Sequence, residues 1–135
     1  MPGAFPARER VRKRSEYLHV QANARRVVTP HFVLLLAVPV AGRAGSVPSQ
    51  PPCARLGVTV SRRVGNAVIR NRAKRLVREA FRATRDLWRP DLDVVVIVRQ
   101  ALTDLTCLDV VQEWRRAARA IEQRSRDACR TRPGE

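Results

Sequence analysis

The stretch from Ser61 to Arg82, SRRVGNAVIRNRAKRLVREAFR, holds the residues best suited to chemistry, and that chemistry is the capture of a polyanion. Arg or Lys stands at positions 62, 63, 70, 72, 74, 75, 78 and 82, with Glu79 the lone carboxylate. From Ile69 onward the apolar residues recur as Ile69, Ala73, Leu76, Val77, Ala80 and Phe81, which is one face of an amphipathic helix. At about 100° per residue, Arg75, Arg78, Arg82 and Arg85 fall on the opposite face, with Lys74 at its edge. Arg70 and Arg72 flank the apolar stripe near the helix start. A solvated helix face usually mixes signs, pairing opposite charges four residues apart. This face is almost purely positive, and its self-repulsion asks for a compensating partner. Phosphates suit it, because guanidinium forks bind them bidentately.

Hydrolytic chemistry is harder to find. His19 falls in a predicted helix and His31 opens an apolar strand, neither with a Ser or Cys partner at a telling spacing. Asp91 and Asp93 are spaced like a metal pair, but a turn at the start of a strand explains them better. Cys53, Cys107 and Cys129 are scattered, making neither a disulfide framework nor a zinc pattern, and read as reduced thiols of a cytosolic protein. No catalytic residue and no metal bound by the chain itself is expected.

Composition points the same way. A length of 135 residues fits one domain. A formal charge of +15 and a pI near 11.7 favour nucleic acid as the partner, with an anionic membrane surface second. The basic residues are 25 Arg to 2 Lys, which fits phosphate binding or a codon bias equally. The longest apolar stretch, Phe32 to Val38, is seven residues, far short of the ~20 that span a bilayer. The start, MPGAFPARERVRKR, has no apolar core after its charges and does not read as a signal peptide.

The elements that position the basic segment follow from periodicity. Residues 1–9 read as a flexible arm. A short helix is predicted over Ser15 to Asn23 with Ser15 as its N-cap. HFVLLLAV, His31 to Val38, reads as a buried strand. The segment 41–54, rich in Pro, Gly and Ser, is a flexible loop insert. RLGVTVS, Arg55 to Ser61, alternates with period two: Leu56, Val58 and Val60 to one side, Gly57, Thr59 and Ser61 to the other. Gly65 breaks the chain, Asn66 caps or turns, and the basic helix runs on to about Trp88 ahead of Pro90. DVVVIV, Asp93 to Val98, is another buried strand. Thr106 with Asp109 resembles a capping arrangement before a last helix, with Val110, Val111, Trp114, Ala117, Ala118 and Ile121 on one face. Beyond Arg124 the periodicity stops, and 125–135 reads as a disordered basic tail. The order predicts an α+β fold, a small sandwich with a sheet covered by helices on one face.

At GNAVIRNRAKRLVREAFR the chain resembles the bacterial ribonuclease P protein family. Arg70-Asn71-Arg72 matches the family's hallmark, Lys74, Arg75 and Arg78 follow in matching places, and VTVSRRVGNAV matches the approach to that helix. The likeness extends from about Arg10 to Arg124, a single domain over 10–124. It implies a mixed sheet of about four strands, with a left-handed crossover through the basic helix where the general rule predicts a right-handed one. It implies a protein subunit that binds a catalytic RNA and the 5′ leader of precursor tRNA, one protein to one RNA, in the cytoplasm. Hydrolysis and the Mg2+ it needs would belong to the RNA. Arg70, Asn71, Arg72, Lys74, Arg75 and Arg78 would face the RNA subunit; an equal reading of Asn71 is a hydrogen bond to the helix-start backbone. Tyr17, Thr59, Ser61, Arg62 and Arg63 would line a leader cleft between the first helix and the open sheet face. For Tyr17, a core aromatic is an equal reading. Gln21 and Leu35 depart from the family by standing where many relatives carry aromatics, and the chain has six Phe, Trp and Tyr in all. Weaker or differently tuned leader contacts are expected.

Three other functions compete. A structural RNA-binding protein, such as a ribosomal component, fits the charge equally but does not account for the GNAV-x-RNR string. A DNA-binding factor needs a helix-turn-helix partner or dimer seam, whereas a strand precedes Asn66. An autonomous nuclease lacks an evident His or carboxylate centre.

Overall fold

The computed structural model describes residues 14–38 and 54–130, without the side chains of Ser15, Glu16, Tyr17 and Gln21. The expected arm at 1–9, the insert at 41–54 apart from Ala54, and residues 131–135 of the expected tail lie outside it. The elements are α1 (Arg14–Asn23), β1 (Arg25–Val28), β2 (Phe32–Ala37), β3 (Arg55–Val60), α2 (Ala67–Ala83), β4 (Asp93–Val98), α3 (Cys107–Arg116) and α4 (Ala118–Arg130). Short 3-10 turns at Arg62–Val64 and Arg85–Leu87 flank α2.

The strands form one four-stranded sheet in the order β1-β2-β4-β3. β1–β2 and β2–β4 are antiparallel, and β3–β4 is parallel, as a crossover through a helix requires. Alternation decides what each face buries. Leu34 and Leu36 of β2, Val94 and Val96 of β4 and Leu56 of β3 join the main core with Val77 and Phe81 of α2, Val110 and Trp114 of α3 and Ile121 of α4. Four aromatics are spent there. Phe81 stacks on Trp88 at 5.4 Å, and Trp114 meets both Trp88 (5.4 Å) and Phe32 (5.6 Å) edge-on. The small mixed α+β sandwich expected from the sequence is therefore present.

Five details correct the sequence expectations. Helices do not keep to one face: α1 sets Val20 on the opposite side, against Leu35, Ala37 and Val95. β1, RRVV, was not foreseen, because two Arg residues hide the apolar alternation of a short edge strand. Ser15 lies inside α1 rather than capping it. The basic helix ends at Ala83, not near Trp88. There the Thr84 hydroxyl donates to the Ala80 carbonyl at 2.7 Å and accepts from Trp88 Nε1 at 3.0 Å, starting the 3-10 turn. The last helix bends at Ala117 and continues as α4 to Arg130, so the tail expected to be disordered from 125 is helical up to that residue. Ser125 and Ala128 extend its buried face, and the Ser125 hydroxyl donates to the Ile121 carbonyl at 2.6 Å. Hydropathy misses such a face because its residues are small.

The capping box at Thr106 and Asp109 is present: the Asp109 carboxylate accepts from the Thr106 N–H at 2.9 Å, and the Thr106 hydroxyl accepts from the Asp109 N–H at 3.3 Å. Those bonds, from the Thr106 backbone first and its hydroxyl second, hold the Asp109 carboxyl below its ordinary range.

Arg55 and Asp93 stand opposite each other at the start of the parallel pair. The guanidinium donates twice to the carboxylate, Nε to Oδ1 at 2.9 Å and Nη2 to Oδ2 at 2.8 Å, with the residues 3% and 1% exposed. Such a buried fork fixes which residue of β3 meets which residue of β4. Removing one partner strands the other charge, at about 3–5 kcal/mol. Arg55→Ala should lower the unfolding free energy by about that much in a urea titration, and Arg55→Ala with Asp93→Ala by less than twice as much.

Candidate nucleic-acid interface

β3 delivers the chain to one end of the sheet, where Ser61 leads into the 3-10 turn that carries Arg62 and Arg63, all three exposed. Gly65 then lets the chain close on α2. A Cβ built there would lie 2.8 Å from Ile69 Cγ2 and 2.9 Å from its Cβ, a contact that side chains do not tolerate. The next residue, Asn66, caps α2, its side-chain oxygen accepting from the Ile69 N–H at 3.0 Å. Ile69 is thus met from both sides, and the angle between the Arg62-Arg63 turn and α2 is fixed.

The buried stripe of α2 is Ala73, Leu76, Val77, Ala80 and Phe81, as the spacing predicts, while Ile69, the first residue of the predicted stripe, is half-buried. Asn71, Arg72 and Arg75 are exposed. Arg70, Lys74 and Arg78 are half-buried. All six residues expected to face an RNA subunit therefore fall on one helix, on the side away from the core stripe or at its margins.

The electrostatics of this helix are unusual. The N-terminus of a helix carries a partial positive charge and ordinarily attracts Asp or Glu. α3 follows that habit with Asp109 in its first turn. α2 has no acid in its first turn and has Arg62, Arg63 and Arg70 around it. Arg70 Nε is buried and has no partner among the described residues. An anion arriving here meets free N–H donors, a helix dipole and several guanidinium groups at once.

The leader-cleft residues fall on or beside the other face. Gly57 and Thr59 alternate with the core-facing Leu56 and Val58, and pair with Val95 and Ile97 of β4. Thr59 is half-buried. α1 packs on this same face through Val20, so Tyr17 belongs to the helix that borders it; its side chain is outside the described residues. Leu35, which stands where many relatives carry an aromatic, is buried with Val20, Ala37 and Val95 in the second core. Arg62 and Arg63 lie at the sheet end, between this face and the N-terminus of α2.

The other residues considered for chemistry are engaged elsewhere. Asp93 holds Arg55, while Asp91 lies 3.5 Å from Arg89 and accepts from the Cys129 thiol at 3.6 Å. His19 Nε2 is 2.9 Å from the Val38 carbonyl, and His31 Nδ1 is 2.6 Å from Glu113. Burial first, and the charge of Glu79 second, push the Cys107 thiol upward, opposite to what a nucleophile needs. Leu18, Val28, Val68 and Leu108 are large apolar side chains left exposed among the described residues. Val68, 76% exposed, sits in the first turn of α2 off the buried stripe, a position that the helical spacing itself assigns to solvent. Among the described residues no helix is long and apolar enough to cross a membrane.

Comparison with known proteins gives a consistent result. A family model described as Ribonuclease P matches residues 5–122. The chain is 35% identical over 105 residues to a ribonuclease P protein component of Syntrophus aciditrophicus, covering 78% of this chain and 80% of that one. It is 36% identical over 110 residues to that of Desulforapulum autotrophicum, covering 82% and 86%. Its fold is similar to a solved RNase P protein from Thermotoga maritima, with TM-score 0.62 and 27% identity over 87% of this chain and 96% of that one. It is also similar to a Staphylococcus aureus RNase P protein mutant described as defective in mRNA degradation activity, with TM-score 0.66 and 26% identity over 84% and 88%.

Gly65→Ala should force Ile69 or the turn to move, costing about 1–3 kcal/mol of stability. Denaturant unfolding checks the cost. The affinity of the folded variant for RNA should fall as well, since the turn no longer presents Arg62 and Arg63 beside α2.

Proposed function

Given that the chain belongs to the ribonuclease P protein family, a component of the tRNA-processing endoribonuclease, we propose how its surfaces divide that work. The α2 face, Arg70, Asn71, Arg72, Lys74, Arg75 and Arg78, seats the RNA subunit. The open sheet face beside α1, with Tyr17, Thr59 and Ser61, and the turn with Arg62 and Arg63, hold the 5′ leader of precursor tRNA. One protein joins one RNA, in the cytoplasm. Hydrolysis of the leader is the work of the RNA and its Mg2+, and this chain supplies charge neutralisation and substrate grip.

The observation that carries this reading is the N-terminus of α2, where an acid-free first turn meets Arg62, Arg63 and the unpartnered Nε of Arg70. A helix start so charged stabilises the free protein poorly and a bound phosphate chain well. Engagement of His19, His31 and Asp93 in bonds within the fold supports a binding role for the chain over a catalytic one. The leader grip works with few rings. Phe32, Phe81, Trp88 and Trp114 are all in the core, which leaves Tyr17, and Phe5 outside the described residues, as rings for stacking, and aliphatic and charged contacts for the rest.

Each phosphate neutralised releases condensed counterions, which makes affinity fall with salt in proportion to the number of contacts. Arg70→Ala combined with Arg72→Ala should weaken assembly with the ribonuclease P RNA at least tenfold. The slope of log affinity against log salt should become shallower by roughly 1 to 2. An unchanged slope would contradict the assignment of these residues to phosphate contacts.

A further inference from the structure

The end of the sheet that carries Ser61 also carries a histidine held in a fixed pose. Phe32 and Val60 both pair with Val98 of the strand between them, so His31, Arg99 and Ser61 line the same end of the sheet. His31 is two interstrand spacings from Ser61, roughly 10 Å. It lies on the far side from α2, which packs on β3.

The turn bearing His31 is held from two directions. Glu113 of α3 accepts three hydrogen bonds there: from the Thr29 hydroxyl at 2.7 Å, the His31 backbone N–H at 3.0 Å and the His31 ring Nδ1 at 2.6 Å. The Arg99 backbone N–H donates to the His31 carbonyl at 2.9 Å, its guanidinium to the Thr29 carbonyl at 3.1 Å, and the Gln100 amide to the Pro30 carbonyl at 3.1 Å. A carboxylate can only accept, so Nδ1 carries the proton. In the neutral ring that leaves the Nε2 lone pair as the free polar atom. The His31 side chain is 29% exposed, and Nε2 has no hydrogen bond among the described residues.

In the neutral ring Nε2 is a fixed acceptor on a basic rim, poorly matched to phosphate, which also accepts. It is well matched to a hydroxyl donor on a strand whose phosphates are held next to it. Arg62, Arg63 and Arg99 supply that hold, and RNA carries such a donor at every sugar. We propose that His31 reads the ribose of the precursor's 5′ leader, its Nε2 accepting from a 2′-hydroxyl, with Glu113 as the positioning residue that sets the ring. The inference rests on the leader reading of Arg62 and Arg63.

The test uses the holoenzyme reconstituted with its RNA, with Ca2+ in place of Mg2+ to slow cleavage. Binding is measured for mature tRNA and for precursor tRNA with an all-ribose or an all-2′-deoxy leader. The wild type should prefer the ribose leader by about three- to tenfold, the scale of one neutral hydrogen bond. His31→Ala should shrink that preference to less than half its wild-type value, leaving mature tRNA binding unchanged. The ratio is taken within one protein, so an unfolded fraction cancels, and the different sugar pucker of deoxyribose, common to both ratios, cancels when wild type and His31→Ala are compared. Equal preferences in wild type and His31→Ala would overturn the proposal. Arg62→Ala with Arg63→Ala separates the two readings. It should weaken both precursors and spare mature tRNA, and if it weakens mature tRNA equally, the leader reading fails and this inference with it.

Discussion

The buried fork between Arg55 and Asp93 is the constraint on which the arrangement rests. Parallel strands cannot be set by a tight turn, and β3 and β4 meet across a helix of 17 residues and two 3-10 turns. The pair stands at the first rung of that ladder, and its geometry permits one register. A slip of one residue would turn Leu56, Val58 and Val60 to the open face and Thr59 into the core. It would also move Ser61 and the turn behind it. Burying two charges is a poor way to gain stability, since desolvation offsets most of the attraction. It is an effective way to specify one alignment, and here the alignment decides where the basic residues emerge.

From that register the two faces of the sheet acquire different uses. The main core takes the large rings and most of the aliphatic volume, and Phe32, Phe81, Trp88 and Trp114 contact one another there. The opposite face is covered at one end by α1 and bears the smaller Gly57 and Thr59 toward its edge. α2 follows the same economy: one stripe packs against β3 and α3, and the rest presents guanidinium groups. The sheet end between these surfaces gathers Ser61, Arg62, Arg63, Arg99 and His31.

Much of this was legible in the residues. The stripe Ala73, Leu76, Val77, Ala80 and Phe81, the cap at Asn66, the capping box at Thr106 and the strands at Phe32, Arg55 and Asp93 follow from period and composition alone. What was not legible depends on partners distant in sequence. β1 is a strand because β2 offers it an edge, and its Arg25 and Arg26 conceal that. α4 continues past Arg124 because small residues, Ser125 and Ala128, suffice where another surface already closes over them. The placement of α1 on the second face is a three-dimensional fact, since its own apolar pattern is weak and Val20 is its buried anchor. At the site, residue types and helix faces could be read in advance. The contact of Gly65 with Ile69, the hold of Glu113 on His31 and the burial of Leu35 with Val20 could not.

On the proposed reading, this chain enables an RNA catalyst by binding. Cleavage of precursor tRNA at low magnesium tests it most directly, comparing the protein alone, the ribonuclease P RNA of the same organism alone, and the two together. Cleavage at the mature 5′ end is expected with the two together, little with the RNA alone and none with the protein alone. Cleavage by the protein alone, or no stimulation of the RNA by the protein, would contradict it.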